Sequence, residues 1–436
     1  MTAPGKASAP AGLSLRVAAA ERLRDVLSGA HFTPFASPDI ADTRDRALAN
    51  RLVTTALRHH GHLNLVLERL LDRGMPKKSG SFEATLRVAL AQLLYLPEIG
   101  AHSVLFLAVE AVKRDPRAAH LAKLMNAALR RAQTDAEMLR QAPFTLLFPD
   151  AVRRHWHDAY GGAAIAAFAE ALLAGAPLDL TLRDADPALL EALGATPLLA
   201  DAVRLEVRDR PVEKLPGYDD GRWWVQDVAA SLPARLIDLP AGARVLDLCA
   251  APGGKTAQLV KAGYAVTALD NDPVRLDRLS TNLARLGYTA DVLLDDAATY
   301  TPESPFDAVL LDAPCSATGT FRRHPEVIWH RADADIAGRV ALQRKLVAHA
   351  ATCLAPGGIL VYCVCSLEPE EGERQADWIA RSLPELLPLP IAPAELGPLA
   401  HAVTAAGHLR THPALAVPAP ASGTLDGFFA ARYRKA

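Results

Sequence analysis

The sequence is poor in cysteine, and none of its five cysteines lies in the first 248 residues. This distribution excludes a disulfide framework of the kind that small secreted domains use. Long apolar runs are also absent, because charged residues interrupt every stretch approaching the roughly 20 apolar residues of a membrane span. The first 14 residues, rich in Pro, Ala, Gly and Ser, lack the apolar core of a signal peptide. We therefore expect a cytoplasmic protein in a reducing compartment, without membrane contacts.

The whole chain has no strong excess of either charge, since its net charge is −2. The charges are nevertheless distributed unevenly between its two ends. Residues 1–140 hold 20 lysines and arginines against 13 acidic residues, and the remainder holds 27 against 36. A basic module joined to an acidic one suggests a polyanionic partner for the first. A solvated, arginine-rich helix surface would explain the same count equally well. The candidates for phosphate contacts are Arg58, Lys77, Lys78, Lys113, Arg114, Arg117, Lys123, Arg130 and Arg131.

The order of apolar and polar residues divides the chain into segments. Residues 15–140 carry apolar residues at helical spacing, with Asp42 as a helix N-cap, and predict an all-α domain that follows a disordered tail over 1–14. Residues 141–230 predict a linker and a small α/β subdomain, similar to RNA-recognition folds. Its Trp223 and Trp224 either stack on bases or, as we favour, pack against the next domain. In residues 231–436 strands alternate with helices, which predicts a doubly wound, mostly parallel, Rossmann-like sheet.

One stretch of the last segment has the features of a ligand cradle. A short buried strand over 244–248 leads into small residues and a helix that opens near Lys255 and Thr256. Small side chains let the backbone approach a ligand, and a helix start offers free N–H groups. The stretch matches neither G-x-x-x-x-G-K-[ST] nor G-x-G-x-x-G, so it is not a common phosphate or dinucleotide loop. The alternative is a tight strand-to-helix turn without a ligand.

Acidic residues follow successive predicted strands. Asp270, Asp296 and Asp312 lie at or just past strand ends, while Asp247 lies within the first strand. Ligands of such sheets bind at the carboxyl ends of the strands, and an acid after the second strand can accept hydrogen bonds from both hydroxyls of a ribose. Asp272, just before Pro273, fits a helix N-cap better than a ligand contact.

Two thiols lie at the same predicted rim. Cys315 follows Asp312-Ala-Pro, and Cys365 follows the strand that ends near Cys363. A free cysteine is usually a small buried hydrophobe, which is the interpretation we give to Cys249, Cys353 and Cys363. Cys363-x-Cys365 has no second pair at zinc-ligand spacing, so no metal is expected.

These motifs resemble two known families. Asp45-Arg-Ala-Leu-Ala-Asn-Arg51, Leu93–Leu96 and Leu124-Met-Asn-Ala-Ala-Leu-Arg130 resemble the RNA-binding helical domain of NusB. Residues 220–436 resemble the RNA 5-methylcytosine methyltransferases, and together with the NusB-like front they resemble the RsmB (Fmu/Sun) type. The segments that match are Cys249-Ala-Ala-Pro-Gly-Gly-Lys255, Asp270, Asp296, Asp312-Ala-Pro-Cys-Ser316, Arg322-Arg-His-Pro-Glu326, Cys365-Ser366 and Asp426-Gly-Phe-Phe429.

The resemblance implies a reaction and a set of residue roles. It implies methyl transfer from S-adenosylmethionine to C5 of a cytosine in small-subunit (16S) ribosomal RNA, with Cys365 as the nucleophile that attacks C6. Cys315 would help to remove the C5 proton and release the product, Asp312 would hold the base, and Lys255 would lower the thiol pKa or orient its neighbours. The residues implied to bind the cofactor are Cys249, Ala250, Ala251, Pro252, Gly253, Gly254, Lys255, Asp270, Asp296 and Asp312.

Three positions depart from the family pattern, and two other functions remain open. Val364 stands where Thr is usual before the nucleophile, and Ala317 and Asp295 stand where Gly is common.

Transfer RNA is the alternative substrate, and a non-catalytic RNA-binding assembly factor is the alternative from another class. DNA is not expected as a substrate, because DNA cytosine methyltransferases take their nucleophile from the Pro-Cys motif. We expect a monomer.

Overall fold

The computed structural model describes residues 10–184, 186–205, 210–330 and 335–436. The chain forms two compact units, one of residues 1–157 and 324–332 and one of residues 158–323 and 333–436. The helices are α1 (Leu13–Leu27), α2 (Thr43–Arg58), α3 (His60–Leu70), α4 (Phe82–Tyr95), α5 (Ala101–Arg114), α6 (Ala122–Thr134), α7 (Ala136–Arg140), α8 (Asp150–Ala174, broken at Gly161), α9 (Pro187–Leu193), α10 (Val228–Ser231), α11 (Gly254–Lys261), α12 (Pro273–Leu286), α13 (Glu326–His330), α14 (Ile336–Thr352) and α15 (Glu373–Ser382).

Among the described residues, the strands all belong to the second unit. They are β1 (Leu178–Leu182), β2 (Thr196–Leu199), β3 (Ala202–Leu205), β4 (Trp223–Val225), β5 (Arg244–Leu248), β6 (Ala265–Asp270), β7 (Asp291–Leu294), β8 (Phe306–Asp312), β9 (Leu354–Val364), β10 (Leu386–Pro388), β11 (Leu409–Thr411) and β12 (Phe428–Lys435). Within the described ranges, no helix combines the length and the apolar character needed to cross a bilayer.

The first unit is helical, as the spacing of its apolar residues predicts. Its central helix, α4, buries every residue from Phe82 to Leu94 apart from Glu83. A helix that is buried on every side must be surrounded by others, and α1, α2, α5 and α6 all pack on it. Asp42 caps α2 as predicted, because its carboxylate accepts from the N–H groups of two residues in the first turn. Residues 1–9 of the predicted tail lie outside the described residues, and α1 begins at Leu13.

The first unit also contains a short segment from late in the chain. The buried Glu326 of α13 accepts a hydrogen bond from the N–H of Phe32 at 3.1 Å. The ring of His330 bonds to the carbonyl of Val26 at 2.6 Å. The helical unit is therefore built from two separate parts of the sequence.

The second unit contains two sheets. The smaller one is antiparallel, in the order β2-β3-β1-β4, and it corresponds to the α/β subdomain predicted after the linker. Trp223 and Trp224 are buried, 0% and 4% exposed. Trp224 packs with Leu276 and Leu279 of the following segment, as predicted, whereas Trp223 packs within the small subdomain. The larger sheet has the order β10-β12-β9-β8-β5-β6-β7, with β11 beside β12.

The larger sheet confirms the predicted doubly wound architecture. Strands β5 to β9 run parallel, and β10 to β12 extend the sheet with antiparallel pairing. Alternate residues of β5 face opposite cores: Val245 lies in one cluster, and Leu246 and Leu248 lie in the other. Because both faces are covered, β5, β8 and β9 are apolar nearly throughout, as parallel strands require.

Candidate active site

The order of the parallel strands brings the predicted site residues to one edge. β9, β8, β5 and β6 are neighbours, so the residues at their carboxyl ends are adjacent in space although they are far apart in sequence. Cys365, Asp312, Cys249 and Asp270 lie at or directly after those four strand ends. Asp296 follows the next strand, β7.

The predicted cradle links β5 to α11 without a bulky side chain. Gly253 precedes the helix with a φ of 99°, and a Cβ there would lie 2.8 Å from Cγ of Leu279. A Cβ on Gly254 would lie 3.4 Å from the amide of Gln226. The first-turn N–H groups of α11 have no partner within the helix. This stretch therefore has the backbone approach and the donors that a ligand with a carboxylate needs.

A buried carboxylate lies beneath the cradle. Asp247 is 0% exposed and its Oδ2 accepts from the Thr256 hydroxyl at 2.6 Å. Its Oδ1 is buried and has no hydrogen-bond partner among the described residues. Burial raises the pKa of Asp247 to about 7, and the charges of Asp312 and Asp270 act in the same direction.

Asp270 lies where a ribose contact is expected, and its carboxylate also bonds to the backbone of the cradle. Its two oxygens accept from the N–H groups of Ala251 and Asp272, each at 3.1 Å. The guanidinium of Arg275 lies 3.5 Å away and also donates to the carbonyl of Ala251. Each carboxylate oxygen has a second lone pair, so these bonds leave capacity for a ligand. Asp272 is the N-cap of α12, as the sequence predicts.

Asp296 is exposed and sits in a turn. Its N–H donates to the carboxylate of Asp295 at 2.7 Å, and its own Oδ1 accepts from Ala298 at 2.9 Å. Asp295, which replaces the usual Gly, thus takes part in the turn rather than disturbing it.

Lys255 and Asp312 form a partly buried ion pair. The Lys255 ammonium donates to Oδ2 of Asp312 at 2.7 Å and lies 4.9 Å from the centre of the Phe428 ring. Burial alone would lower the pKa of Lys255, but the attraction of Asp312 outweighs it and the pKa is raised. Lys255 therefore stays charged and fixes the orientation of Asp312, whose side chain is 29% exposed.

The two predicted catalytic thiols are adjacent. The Sγ atoms of Cys315 and Cys365 lie 3.5 Å apart. The hydrogen bond with Cys365, burial and the nearby charge of Glu371 hold the pKa of Cys315 well above its usual range. Arg339 of α14 donates to the carbonyl of Cys315 at 3.0 Å and fixes its backbone.

The other three cysteines are buried or partly buried: Cys353 and Cys249 lie in a hydrophobic cluster, and Cys363 donates to Oδ1 of Asp312 at 3.6 Å. Cys353 and Cys363 are buried, 1% and 0% exposed, and Cys249 is partly buried with a φ of 60°. Burial, together with Asp312 and Asp270, raises the pKa of Cys249 to about 12, so it is a neutral thiol in the cradle.

A buried ionic cluster behind the thiols has no counterpart in the sequence-based predictions. Arg322 donates to Asp426 at 2.9 Å and to Asp227 at 2.6 Å, and Arg323 donates to the other oxygen of Asp426 at 2.7 Å. Arg322, Arg323 and Asp426 belong to the matching motifs, but spacing alone gives no sign that they pair. The cluster ties the loop after β8 to the start of β12.

Comparison with known proteins follows the division seen in the structure. The NusB family model matches residues 16–134, and the family model described as 16S rRNA methyltransferase RsmB/F matches residues 234–434. A ribosomal RNA small subunit methyltransferase B from Xanthomonas campestris is 36% identical over 98% of this chain and 99% of its own length.

Two solved structures show the same fold. The protein PH0851 aligns over 99% of this chain and 100% of its own, with a TM-score of 0.72 at 20% identity. A methyltransferase homolog protein from Pyrococcus horikoshii aligns over 66% of this chain and 96% of its own, with a TM-score of 0.53 at 26% identity. The family models and the Xanthomonas campestris relative confirm the resemblance to NusB and to the RsmB type, and the chain belongs to the RsmB/F family of 16S rRNA methyltransferases.

Proposed function

We propose that this protein methylates C5 of a cytosine in small-subunit ribosomal RNA through a covalent bond between Cys365 and C6 of the base. The observation that carries the proposal is the pair of thiols 3.5 Å apart at the ends of β8 and β9, next to the Lys255–Asp312 ion pair. The coarser assignment, an S-adenosylmethionine-dependent rRNA methyltransferase, rests on the family.

The chemistry requires a nucleophile on the protein. C5 of cytosine is too weak a nucleophile to take a methyl group directly. Addition of the Cys365 thiolate to C6 makes C5 enamine-like, which divides one difficult step into easier ones. After methyl transfer, the C5 proton passes to water with the help of Cys315, whose neutral thiol lies 3.5 Å from the departing Cys365 sulfur and can donate a hydrogen bond to it. The C5–C6 double bond then re-forms as the C6–Sγ electron pair returns to Cys365.

Asp312 and Lys255 are suited to control charge on the ring. A carboxylate next to N3 and N4 of the base favours the protonated ring, so negative charge need not build up when the thiolate adds. The Lys255 ammonium holds this carboxylate through Oδ2 at 2.7 Å. In this proposal Lys255 acts by orienting Asp312, one of the two roles that the resemblance left open.

The residues of the cradle fit the proposed methyl donor. S-adenosylmethionine would supply the methyl group as an electrophile on a sulfonium centre. Residues 249–255 and the first turn of α11 would receive its amino-acid end, Asp270 the ribose hydroxyls and Asp296 the adenine side. The small residues and the free N–H groups of the cradle support this assignment.

The RNA must present its base outside a stack to reach the thiols. The basic, exposed side chains of the helical unit, such as Lys113, Arg114 and Arg117, are proposed to contact RNA phosphates. Such a substrate would place the protein where ribosomal subunits are assembled, in the cytoplasm.

Replacement of the nucleophile tests the covalent step. Cys365→Ala should abolish methyl transfer to a small-subunit RNA transcript, measured with radiolabelled S-adenosylmethionine. Cys353→Ala, which alters a buried thiol next to the opposite end of β9, is the matched control and should retain activity. Methyl transfer by Cys365→Ala at the parental rate would rule out the assignment.

Replacement of the second thiol tests product release. Cys315→Ala should accumulate a covalent RNA–protein adduct that survives denaturation, seen as a shifted band on a denaturing gel, because the C6–Sγ bond forms but does not break. Free methylated RNA without an adduct would contradict the role given to Cys315.

Mapping of methylcytosine identifies the RNA. A strain lacking this protein should lose one methylcytosine from small-subunit rRNA and none from transfer RNA. Loss confined to transfer RNA would favour the alternative substrate, and loss from neither pool would favour the non-catalytic assembly factor.

A further inference from the structure

One buried carboxylate joins the two turns that carry the thiols. Glu371 is 0% exposed. Its oxygens accept from the backbone N–H of Ser316 at 2.9 and 3.1 Å and from the Ser316 hydroxyl at 2.5 Å. They also accept from the Ser366 hydroxyl at 2.6 Å and from the Gln343 amide at 3.0 Å. All these partners are hydrogen-bond donors.

The residues that donate to Glu371 include the immediate neighbours of the thiols. Ser316 follows Cys315 in sequence, and Ser366 follows Cys365. The Gln343 amide that donates to Glu371 also donates to the carbonyl of Pro314 at 3.0 Å, so the backbone on both sides of Cys315 is held. The separation of the two thiols is therefore fixed by a group that bonds to neither sulfur.

The partners of Glu371 suit a group that accepts hydrogen bonds through both of its oxygens. A carboxylate only accepts hydrogen bonds, whereas an amide must also donate through its nitrogen. At this position an amide NH₂ would face the backbone N–H of Ser316, which can only donate, and the Gln343 amide nitrogen opposes an NH₂ on the other side. Burying a charge is costly unless hydrogen bonds compensate for it, and here most of the compensating donors come from the two thiol-bearing turns themselves.

We propose that Glu371 is a positioning residue, which holds Cys315 and Cys365 at the separation and orientation that the addition and release steps need. This inference rests on the proposed function. The Glu371 charge has a second effect, because it helps to raise the pKa of Cys315, and the neutral thiol that results is a poor nucleophile. Cys315 then does not compete with Cys365 for C6 in the first step.

Glu371→Gln is the variant that tests the role, because it keeps the size of the side chain and removes the charge. Misplacement of reacting groups by about 1 Å costs on the order of 10²-fold in rate. We expect kcat to fall by about that factor, with KM for RNA and the dissociation constant of S-adenosylmethionine little changed. Glu371→Asp, which keeps an acceptor-only group, should recover part of the lost kcat.

A second readout does not depend on RNA. Alkylation of the folded protein by iodoacetamide, mapped by mass spectrometry across pH, reports on each thiol. As pH is raised, Cys315 of Glu371→Gln should become reactive at a lower pH than Cys315 of the parent. The reason is that removal of the neighbouring negative charge lowers the pKa of Cys315. A purely structural role would not move this profile selectively.

The controls separate positioning from general stability. Glu326→Gln alters another buried glutamate, which accepts from Phe32 in the helical unit, and should not alter the alkylation profile of Cys315. If Glu371→Gln does not fold, Ser316→Ala removes one donor and should lower kcat on a smaller scale, while the alkylation profile of Cys315 stays close to that of the parent because the charge of Glu371 is kept. A parental kcat in Ser316→Ala would then contradict the positioning role.

The outcomes are distinguishable. A folded Glu371→Gln with parental kcat and a parental Cys315 profile would overturn the positioning role while leaving the proposed function intact. A parent protein that transfers no methyl group to small-subunit RNA would instead overturn the proposed function.

Discussion

Asp247 is a buried carboxylate with one oxygen bonded to the Thr256 hydroxyl and the other without a hydrogen-bond partner among the described residues. Its position inside the first strand is evident from the sequence, and so are the positions of Asp270 and Asp312 at strand ends. The lack of a partner for Oδ1 of Asp247 could not be predicted from the sequence, because hydrogen bonding depends on which groups folding brings together. Glu371 is a clearer case, since nothing in the sequence distinguishes it from the other glutamates around it.

The raised pKa of Asp247 predicts a pH dependence of stability. The unfolded side chain ionises near pH 4, and the folded one near pH 7, so the folded state binds more protons between these values. The contribution of Asp247 to the free energy of unfolding therefore declines as pH rises from about 4 to about 7. Asp247→Asn, which can still accept from Thr256, should gain stability over the parent, and the gain should be larger at pH 8 than at pH 5.

Urea unfolding without cofactor, followed by circular dichroism at both pH values, measures this difference. Asp238→Asn replaces an aspartate of the same unit at a less buried position and should leave the pH profile unchanged. A gain that is equal at pH 5 and pH 8 would contradict the assignment of the effect to ionisation of Asp247.

At the scale of elements, the strands, the helices and their order were predictable because apolar periodicity is local. β5 lies where the sequence predicts a strand over 244–248, and α11 begins at Gly254, next to the predicted helix start near Lys255. The antiparallel extension by β10, β11 and β12 was not predicted, since pairing between distant strands leaves little local signal. Val364 could be understood only in the sheet: it is 0% exposed within a hydrophobic cluster, so an apolar residue suits the position where Thr is usual.

The loop after β8 allows a prediction from backbone geometry. Ala317 has a φ of 56°, a left-handed conformation that costs an L-residue about 1–2 kcal/mol. Glycine avoids this cost but loses roughly 0.5–1 kcal/mol to its freedom in the unfolded chain. Ala317→Gly should therefore raise the free energy of unfolding by about 0.5 kcal/mol.

Gly319→Ala, two residues further on, should have the opposite effect. Its Cβ would lie 1.9 Å from the carbonyl oxygen of Gly427, and relief of such overlap costs about 1–3 kcal/mol. Chemical denaturation of both variants measures the two changes in the free energy of unfolding. Destabilisation by Ala317→Gly, or tolerance of Gly319→Ala, would show that the loop is held differently.

For the whole molecule, composition predicts that residues 1–140 are basic and that the remainder is acidic. In the structure, several of the basic residues of 1–140 that are candidates for phosphate contacts lie at the surface. Lys113, Arg114 and Arg117 are exposed or partly exposed at and beyond the end of α5. Lys113 and Arg117 each have an acidic neighbour, Glu110 at 2.8 Å and Asp115 at 3.8 Å. Such exposed pairs are weak and do not prevent contact with phosphate.

Salt dependence tests the proposed role of these side chains in RNA binding. Replacement of Lys113, Arg114 and Arg117 by Gln should weaken binding and reduce the slope of log K against log salt by about 0.7–0.9 for each phosphate that the variant no longer neutralises. A matched triple replacement of basic residues in the other unit, Arg278, Lys345 and Arg381, should change the slope less. An unchanged slope in the first variant would argue that these residues do not bind RNA.

Residues 324–332 belong to the helical unit although they lie far from the rest of it in sequence. A gene segment that encodes only the N-terminal helices therefore does not encode the whole unit. A recombination or truncation boundary near residue 157 would separate α13 from the Phe32 and Val26 groups that bond to Glu326 and His330. The chain joins the helical unit a second time at residue 324, which lies between the two thiols in sequence. An exchange of the helical unit that keeps the contacts of Glu326 and His330 must therefore include coding sequence between Cys315 and Cys365.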